Sequence, residues 1–302
     1  MIPGSGADAR TRVPERAGTI WILLGPALLV VLLLFGGGLA WGITQSLGYL
    51  PSAGMDTPTL DHFRNVLTDR DFFRSLGLTL YISLVSTAIA AGISLGMALL
   101  LSGATGRGRA LHFIFQIPLV VPHLVVAVAV AFLLAPAGWI SRAVHSVGLI
   151  SGPGDFPLLV NDPWAIGILT VYVWKEVPFI TLMLLSVLHH GGRERMEVAR
   201  TLKAGPWQRF RYVVVPTVFP SLGAACLIVF AYTFGAFEVP FLLGRTYPMT
   251  LPVQAYRYYS DVDLMSRPEG IATGLIIAAV VALTVVLGQI TVQTARRRGV
   301  VI

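Results

Sequence analysis

The side chains able to do chemistry in this 302-residue chain are few, and many of them gather in one segment. From Glu197 to Pro220 the sequence reads EVARTLKAGPWQRFRYVVVPTVFP, a basic, amphipathic stretch between two long apolar runs. Glu197, Arg200, Lys203, Arg209 and Arg211 supply charge, while Trp207, Phe210 and Val214 recur at three- and four-residue spacing. Arg195 to Lys203 reads as a helix and Lys203-Ala204-Gly205 as a turn. Pro206 then starts a second helix, where its missing N–H costs nothing. A helix–turn–helix with one greasy and one basic face has the chemistry to enter a partner's groove; resting on anionic headgroups is the plainer use of the same surface.

Three more ionisable residues, Lys175, Glu176 and Glu238, lie inside or at the end of apolar runs. A charge at a membrane centre costs about 2.5–3.5 kcal/mol on insertion scales. Lys175 and Glu176 are adjacent, so on a helix they point about 100° apart and cannot pair with each other. Each needs a partner on a neighbouring helix or in a water-filled cavity. Glu238, between Phe237 and Pro240, reads either as a solvated helix end or as an acid at the mouth of a translocation path.

Bond-breaking chemistry has no visible seat. A phosphate-cradling loop ends Gly-Lys-Ser/Thr, but the only lysines, Lys175 and Lys203, do not follow glycine. There is no His-Glu-x-x-His, no Gly-x-Ser-x-Gly and no paired intramembrane aspartates. The six histidines are scattered, and His189-His190 reads as an interfacial pair. Cys226 is the one cysteine, which excludes a disulfide framework or a Cys-based metal site within the chain. The chain therefore reads as non-enzymatic, with no catalytic residue, no metal site and no cofactor of its own.

The elements that must carry these residues are membrane helices. Hydrophobic residues make up 55% of the chain and charged ones only 12%, against about 25% charged in soluble domains. Six apolar runs, near 19–45, 75–102, 110–135, 164–188, 214–243 and 270–294, reach the length needed to cross about 30 Å of hydrocarbon. The first is longer than a signal peptide's apolar region and has no Ala-x-Ala site, so it reads as a retained anchor. Fourteen of the 22 basic residues fall on one side: Arg10, Arg12 and Arg16; Arg107 and Arg109; Arg193, Arg195, Arg200, Lys203, Arg209 and Arg211; and Arg296, Arg297 and Arg298. The positive-inside rule makes that side cytoplasmic, with both termini on it, and accounts for the net charge of +7 without nucleic acid.

Of the outward connections, 46–74 holds an amphipathic stretch, DHFRNVLTDRDFFRSL, suited to an interfacial helix. The 244–269 connection carries Arg245, Tyr247, Tyr256, Tyr258, Tyr259, Asp261, Asp263 and Glu269, an aromatic belt or a surface for a soluble binding protein. Gly92 and Gly96 form a small-xxx-small pair expected to pack a helix closely, and Gly36-Gly37-Gly38 reads as a bend or close contact.

The 197–216 segment resembles the EAA loop of binding-protein-dependent ABC transporter permeases: Glu-Ala-Ala, three residues, Gly, nine residues, Ile-x-Leu-Pro. Glu197 and Ala199 fit, Val198 replaces the first Ala, and Val213-Val214-Val215-Pro216 falls at the closing spacing. Lys203 stands at the Gly position, which passes the reversal to Gly205, because Gly alone takes positive φ cheaply. Phe63 to Leu101 (with Leu76, Thr79, Leu80 and Ala98), Gln116-Ile117-Pro118, Pro122, Trp174, Pro178 and Phe179 resemble the permease core. Phe234 to Pro240, followed by Leu242-Leu243-Gly244, looks most like the spermidine/putrescine-type branch. The likeness spans roughly residues 60 to 295.

The resemblance implies an all-α membrane protein of six transmembrane helices, type I ABC importer permease-like. Its parts would be a cytoplasmic tail at 1–18, a first helix and outer loop at 19–58, a permease core at 59–295 with coupling loop 189–213, and a tail at 296–302. Coupling to the ATPase would fall to Glu197, Ala199, Arg200, Lys203, Ala204, Gly205, Pro206, Trp207 and Phe210, and the path to Lys175, Glu176 and Glu238. The implied partners are a second, different permease, two ATPase subunits that bind ATP and Mg, and an extracytoplasmic substrate-binding protein, all at a bacterial inner membrane. The solute would be small and polar or cationic, such as a polyamine. The rival class, an ATP-independent secondary transporter, requires inverted repeats and helices broken at matching places in two halves; the charge-rich 189–213 loop has no first-half counterpart. An intramembrane enzyme lacks a catalytic constellation.

Overall fold

Apolar runs of bilayer length, punctuated by proline, divide the chain into helices. The computed structural model describes residues 17–102, 108–189 and 193–297. Among these, the only strand-like pairing is an isolated bridge between Leu50 and Met55. Arg10, Arg12, Arg16, Arg107, His190 and Arg298 lie outside the described residues, as do most of the two tails.

Six described stretches are long and apolar enough to cross a membrane: Trp21–Ser46, Arg70–Ser102, His123–Ser146, Ile166–Val187, Pro206–Gly235 and Leu264–Thr291. The first combines α1 (Ala17–Val31), a π-helical turn (Leu32–Gly36) and α2 (Gly37–Ser46). Gly36, Gly37 and Gly38 mark that turn, and no neighbour approaches them. α3 (Asp61–Thr68) is the amphipathic outer helix, and it is shorter than the sequence implied. From Arg70 onward the same stretch belongs to α4 (Arg70–Ser102), the second span. The buried side of α4 is mostly small residues, Ser75, Thr79, Ser83, Ser86, Ala90, Ser94 and Ala98, with Phe72, Ile82 and Leu101 among them. Gly92 and Gly96 face open space within this chain, so the close packing expected of them does not occur here.

The third run departs most from expectation. In place of one helix over 110–135 there are two, α5 (Gly108–Val120) and α6 (His123–Leu134), with α7 (Trp139–Ser146) following after a turn. Pro122 has no N–H to give the Pro118 carbonyl, and the helix breaks there. α8 (Ile166–Val187), the fourth span, is the central one: 61% of its apolar window is buried, against 0% for the first span. It packs along α4 and against α5 and α6, and Ser94 Oγ donates to the Val177 carbonyl across the α4–α8 contact at 2.9 Å.

α9 (Arg193–Thr201) and α10 (Pro206–Arg209) form the expected helix–turn–helix. The chain then continues through a π-helical turn (Phe210–Val214) into α11 (Val215–Gly235). That widened turn sits where Pro216 cannot donate to Tyr212. The fifth span ends at Gly235, short of the expected 243, and Glu238 opens a separate short helix, α12 (Glu238–Leu243). α13 (Leu251–Tyr259) and α14 (Arg267–Arg297) complete the chain.

The two ends of the bundle have different cores. At the α9–α10 end, Ala98, Leu101, Leu184, Leu188, Val214 and Val218 pack together. At the other, Phe72, Phe230, Phe234, Leu251 and Ile277 bind α4, α11, α13 and α14. Polar contacts lock this second end: Leu251 N–H donates to Thr79 Oγ1 at 2.9 Å and Asn65 Nδ2 to Glu269 Oε1 at 3.0 Å. Three tyrosines of the 244–269 connection stay exposed while each is tied to a neighbouring side chain. The Tyr247 hydroxyl donates to Asp71 at 2.5 Å, Tyr256 packs on Phe237 and Phe241, and Tyr259 lies under Arg267.

Candidate functional site

The α9–α10 turn is built by its backbone. Ala204 N–H reaches the Ala199 carbonyl at 3.0 Å and Lys203 N–H the Arg200 carbonyl at 2.9 Å, the paired bonds that close a helix in a Schellman motif. This closure requires positive φ at the residue after the helix, and Lys203 adopts it, with φ 56°. The assignment of the reversal to Gly205 is therefore corrected. Gly205 has φ −65°, a conformation open to any residue, and serves as N-cap of α10, with its N–H donating to Gln208 Oε1 at 2.8 Å. The EAA pattern has glycine at the position of Lys203, and this backbone supplies the physical reason. A non-glycine residue there costs about 1–2 kcal/mol.

Anchoring and display separate cleanly in this segment. Ala199 is buried, and Met196, Phe210 and Val214 pack on the adjoining core. Trp207 is 71% exposed, Leu202 76% and Tyr212 75%, beside exposed Glu197, Arg200 and Lys203. The single apolar face drawn through Trp207, Phe210 and Val214 is thus divided. The rings of Trp207 and Phe210 still touch, with centroids 5.5 Å apart, but only Phe210 and Val214 face the bundle.

The intramembrane ionisable residues find separate partners, as their adjacency demanded. Lys175 turns toward the break in the third span. Its Nζ donates to the Pro118 carbonyl, at 2.7 Å, and to that of Val121. The first of these is the carbonyl that Pro122 leaves without a helical donor. Lys175 is 5% exposed and engaged at the end of α5.

Glu176 turns instead toward His123, the first residue of α6. Its Oε1 lies 3.6 Å from His123 Nε2, longer than a hydrogen bond, and a carboxylate is favoured beside a helix N-terminus. The imidazole lies 4.8 Å from the ring of Tyr232 on α11 and 6.4 Å from that of Tyr172, one turn before Glu176 on α8. Val239, which follows Glu238 at the start of α12, shares a buried cluster with Tyr172, and α12 packs on α6 and α8. Tyr172 is fully buried, and its hydroxyl has no hydrogen-bond partner among the described residues. Glu238 is exposed at the first position of α12, while Tyr232 is exposed at 44%. Four elements thus converge about halfway along α8. Sequence reasoning found the two acids and missed His123, Tyr172 and Tyr232. Two signals were present: Tyr172 stands four residues before Glu176, and His123 follows the Pro118–Pro122 break. Among the described residues, no group of histidine, cysteine and carboxylate side chains could hold a metal.

The model of the binding-protein-dependent transport system inner membrane component family matches residues 88–299. The chain belongs to that family. It is the permease subunit of a binding-protein-dependent ABC importer, an inner-membrane, multi-pass protein, and in such importers the ATPase is a separate subunit. It is 26% identical over 212 residues to the molybdenum transport system permease protein ModB of Azotobacter vinelandii, covering 69% of this chain and 90% of that one. It is also 26% identical over 240 residues to the sulfate transport system permease protein CysW of Synechocystis sp., covering 78% and 82%. A bacterial ABC transporter involved in the import of the acidic polysaccharide alginate has the same fold. Its TM-score is 0.78 at 20% identity, with 93% of this chain and 96% of that one covered. These relatives do not single out the polyamine branch.

Proposed function

We propose that this chain lines half of a solute path and transmits ATP hydrolysis to it through the 193–209 helix–turn–helix. The observation that carries this reading is the display of Leu202, Trp207 and Tyr212 beside Glu197 and Arg200, on a segment whose other face is built into the core. Aromatic residues flanked by charge are the usual anchors of a protein interface. The partner is an ATPase subunit, two per importer, with a second and different permease enclosing the path and a substrate-binding protein on the opposite side. The arginine-rich side, with both termini, is cytoplasmic. Glu176 and Glu238 belong to the path, and Lys175 to the bend. The solute is small and polar or cationic, a polyamine being one such species.

In proteoliposomes containing the assembled importer, the double variant Glu197→Lys, Trp207→Ala is expected to lose uptake and binding-protein-stimulated ATPase activity while inserting normally. Normal uptake by that variant would overturn the coupling assignment and leave α10 as a helix resting on headgroups.

A further inference from the structure

The cluster midway along α8 has a composition that selects one kind of solute. Glu176 and Glu238 supply negative charge, Tyr172 and Tyr232 supply ring faces and hydroxyls, and His123 stands between the two tyrosines. Glu176 is ten residues into α8, about 15 Å along a helix that crosses about 33 Å. This depth is near the bilayer midplane, where an unused charge is costly. The site is also unfinished. Among the described residues the Tyr172 hydroxyl is fully buried without a hydrogen-bond partner, and Glu176 has His123 at 3.6 Å. The cluster is not sealed, since Tyr232 and Glu238 are exposed on the surface of this chain.

We propose that His123, Tyr172, Glu176, Tyr232 and Glu238 form a transient binding subsite for an organic ammonium group. The proposal rests on the reading of this region as the solute path, and names the chemistry the path accepts. An ammonium gains from each component: carboxylates offset its lost hydration, ring faces attract it, and the free Tyr172 oxygen can accept its N–H. An oxyanion gains little. The positive features nearby are already engaged: Glu176 lies beside the N-terminus of α6, and the Lys175 ammonium is held by the Pro118 and Val121 carbonyls. A neutral sugar could use the hydroxyls but has no use for two acids. The break at Pro122 contributes by placing His123 at this depth, while Lys175 occupies the carbonyls that the break exposes.

The test is saturation-transfer NMR on the permease assembled with its partner subunits in zwitterionic nanodiscs, with putrescine as the probe, trehalose as a neutral comparator and sulfate as competitor. Putrescine is expected to receive signal above that of empty nanodiscs, and 10 mM-scale sulfate, on the order of the probe concentration, to leave it in place. Glu176→Gln, nearly isosteric, is expected to weaken the affinity by about tenfold, and Tyr232→Ala by about fivefold. Tyr172→Phe, which keeps the packing, is expected to weaken it by about fivefold through the hydroxyl alone. A putrescine signal no greater than that of empty nanodiscs, one unaffected by Glu176→Gln, or one displaced by sulfate would overturn the proposal. Uptake by the same variants separates it from the reading beneath it. If they lose uptake of a sugar or oxyanion and the wild type binds no putrescine, the path stands and the ammonium subsite falls. If they lose putrescine binding while uptake of the transported solute is unchanged, the subsite stands and the path reading falls.

Discussion

The α9–α10 turn and the cluster around Glu176 are both places where polar chemistry interrupts an apolar protein, yet they are built by opposite means. The turn is continuous in sequence, keeps its reactive surface outside and buries only its anchors, Ala199, Met196 and Phe210. The cluster draws on α6, α8, α11 and α12 and surrounds its acid with neighbouring helices. The difference teaches how one subunit can face two partners. A local motif can keep a fixed contact geometry wherever the bundle moves, whereas a site spread over four helices changes shape when those helices shift. That suits the turn to coupling and the cluster to a solute that must be both bound and released.

Paired substitutions should break the comparison if it is wrong. In proteoliposomes, Trp207→Ala is expected to lower uptake and stimulated ATPase activity together by about tenfold or more, the usual cost of losing an interface anchor. Glu176→Gln should lower uptake and leave ATP hydrolysis within the assembled importer. Identical profiles for the two variants would erase the distinction between the regions.

A stability measurement should separate Lys175 from its neighbour. Lys175→Met leaves the carbonyls of Pro118 and Val121 without their donor and should destabilise the folded permease by about 2–3 kcal/mol, measured by reversible unfolding in mixed micelles. Glu176→Gln should change stability by much less. Equal losses would return Lys175 to the path.

The turn offers an effect of opposite sign. Lys203→Gly is expected to stabilise the α9–α10 segment by about 0.5–1 kcal/mol, because glycine takes φ 56° without the steric cost and gives back part of that gain as unfolded-chain entropy. Hydrogen exchange at Lys203 and Ala204 should slow accordingly; faster exchange would contradict the strained-lysine account. Of similar size, Ser94→Ala should cost about 0.6 kcal/mol, the average for a hydrogen bond between membrane helices.

What could be read in the sequence follows the same division. The helix–turn–helix was legible down to Pro206 at the start of α10, because helix propensity, turn residues and proline act over a few residues. Its turn residue was misassigned. The preference of glycine for positive φ pointed to Gly205, but the spacing of the Schellman closure, not residue preference, places the reversal at Lys203. Six apolar runs were legible as membrane crossings. The break in the third was not, since Pro118 and Pro122 are also tolerated inside membrane helices when a neighbour satisfies the freed carbonyls. That neighbour, Lys175, lies 57 residues from Pro118. The cluster was half legible: the rarity of charge in apolar runs marks Glu176 and Glu238, whereas the approach of His123 and Tyr232 depends on how α6 and α11 pack against α8. The small-residue pair Gly92 and Gly96 misled for a related reason. Spacing tells that a helix can be approached closely, and not whether this chain supplies the helix that does so.

The central claim, that the displayed face of the turn meets an ATPase subunit, is tested most directly by a photoreactive benzoylphenylalanine placed at Trp207 in the assembled importer. Ultraviolet irradiation is expected to yield one adduct with the summed mass of permease and ATPase subunit, reduced when Glu197→Lys is added. An inserted protein that gives adducts with lipid alone would contradict the claim.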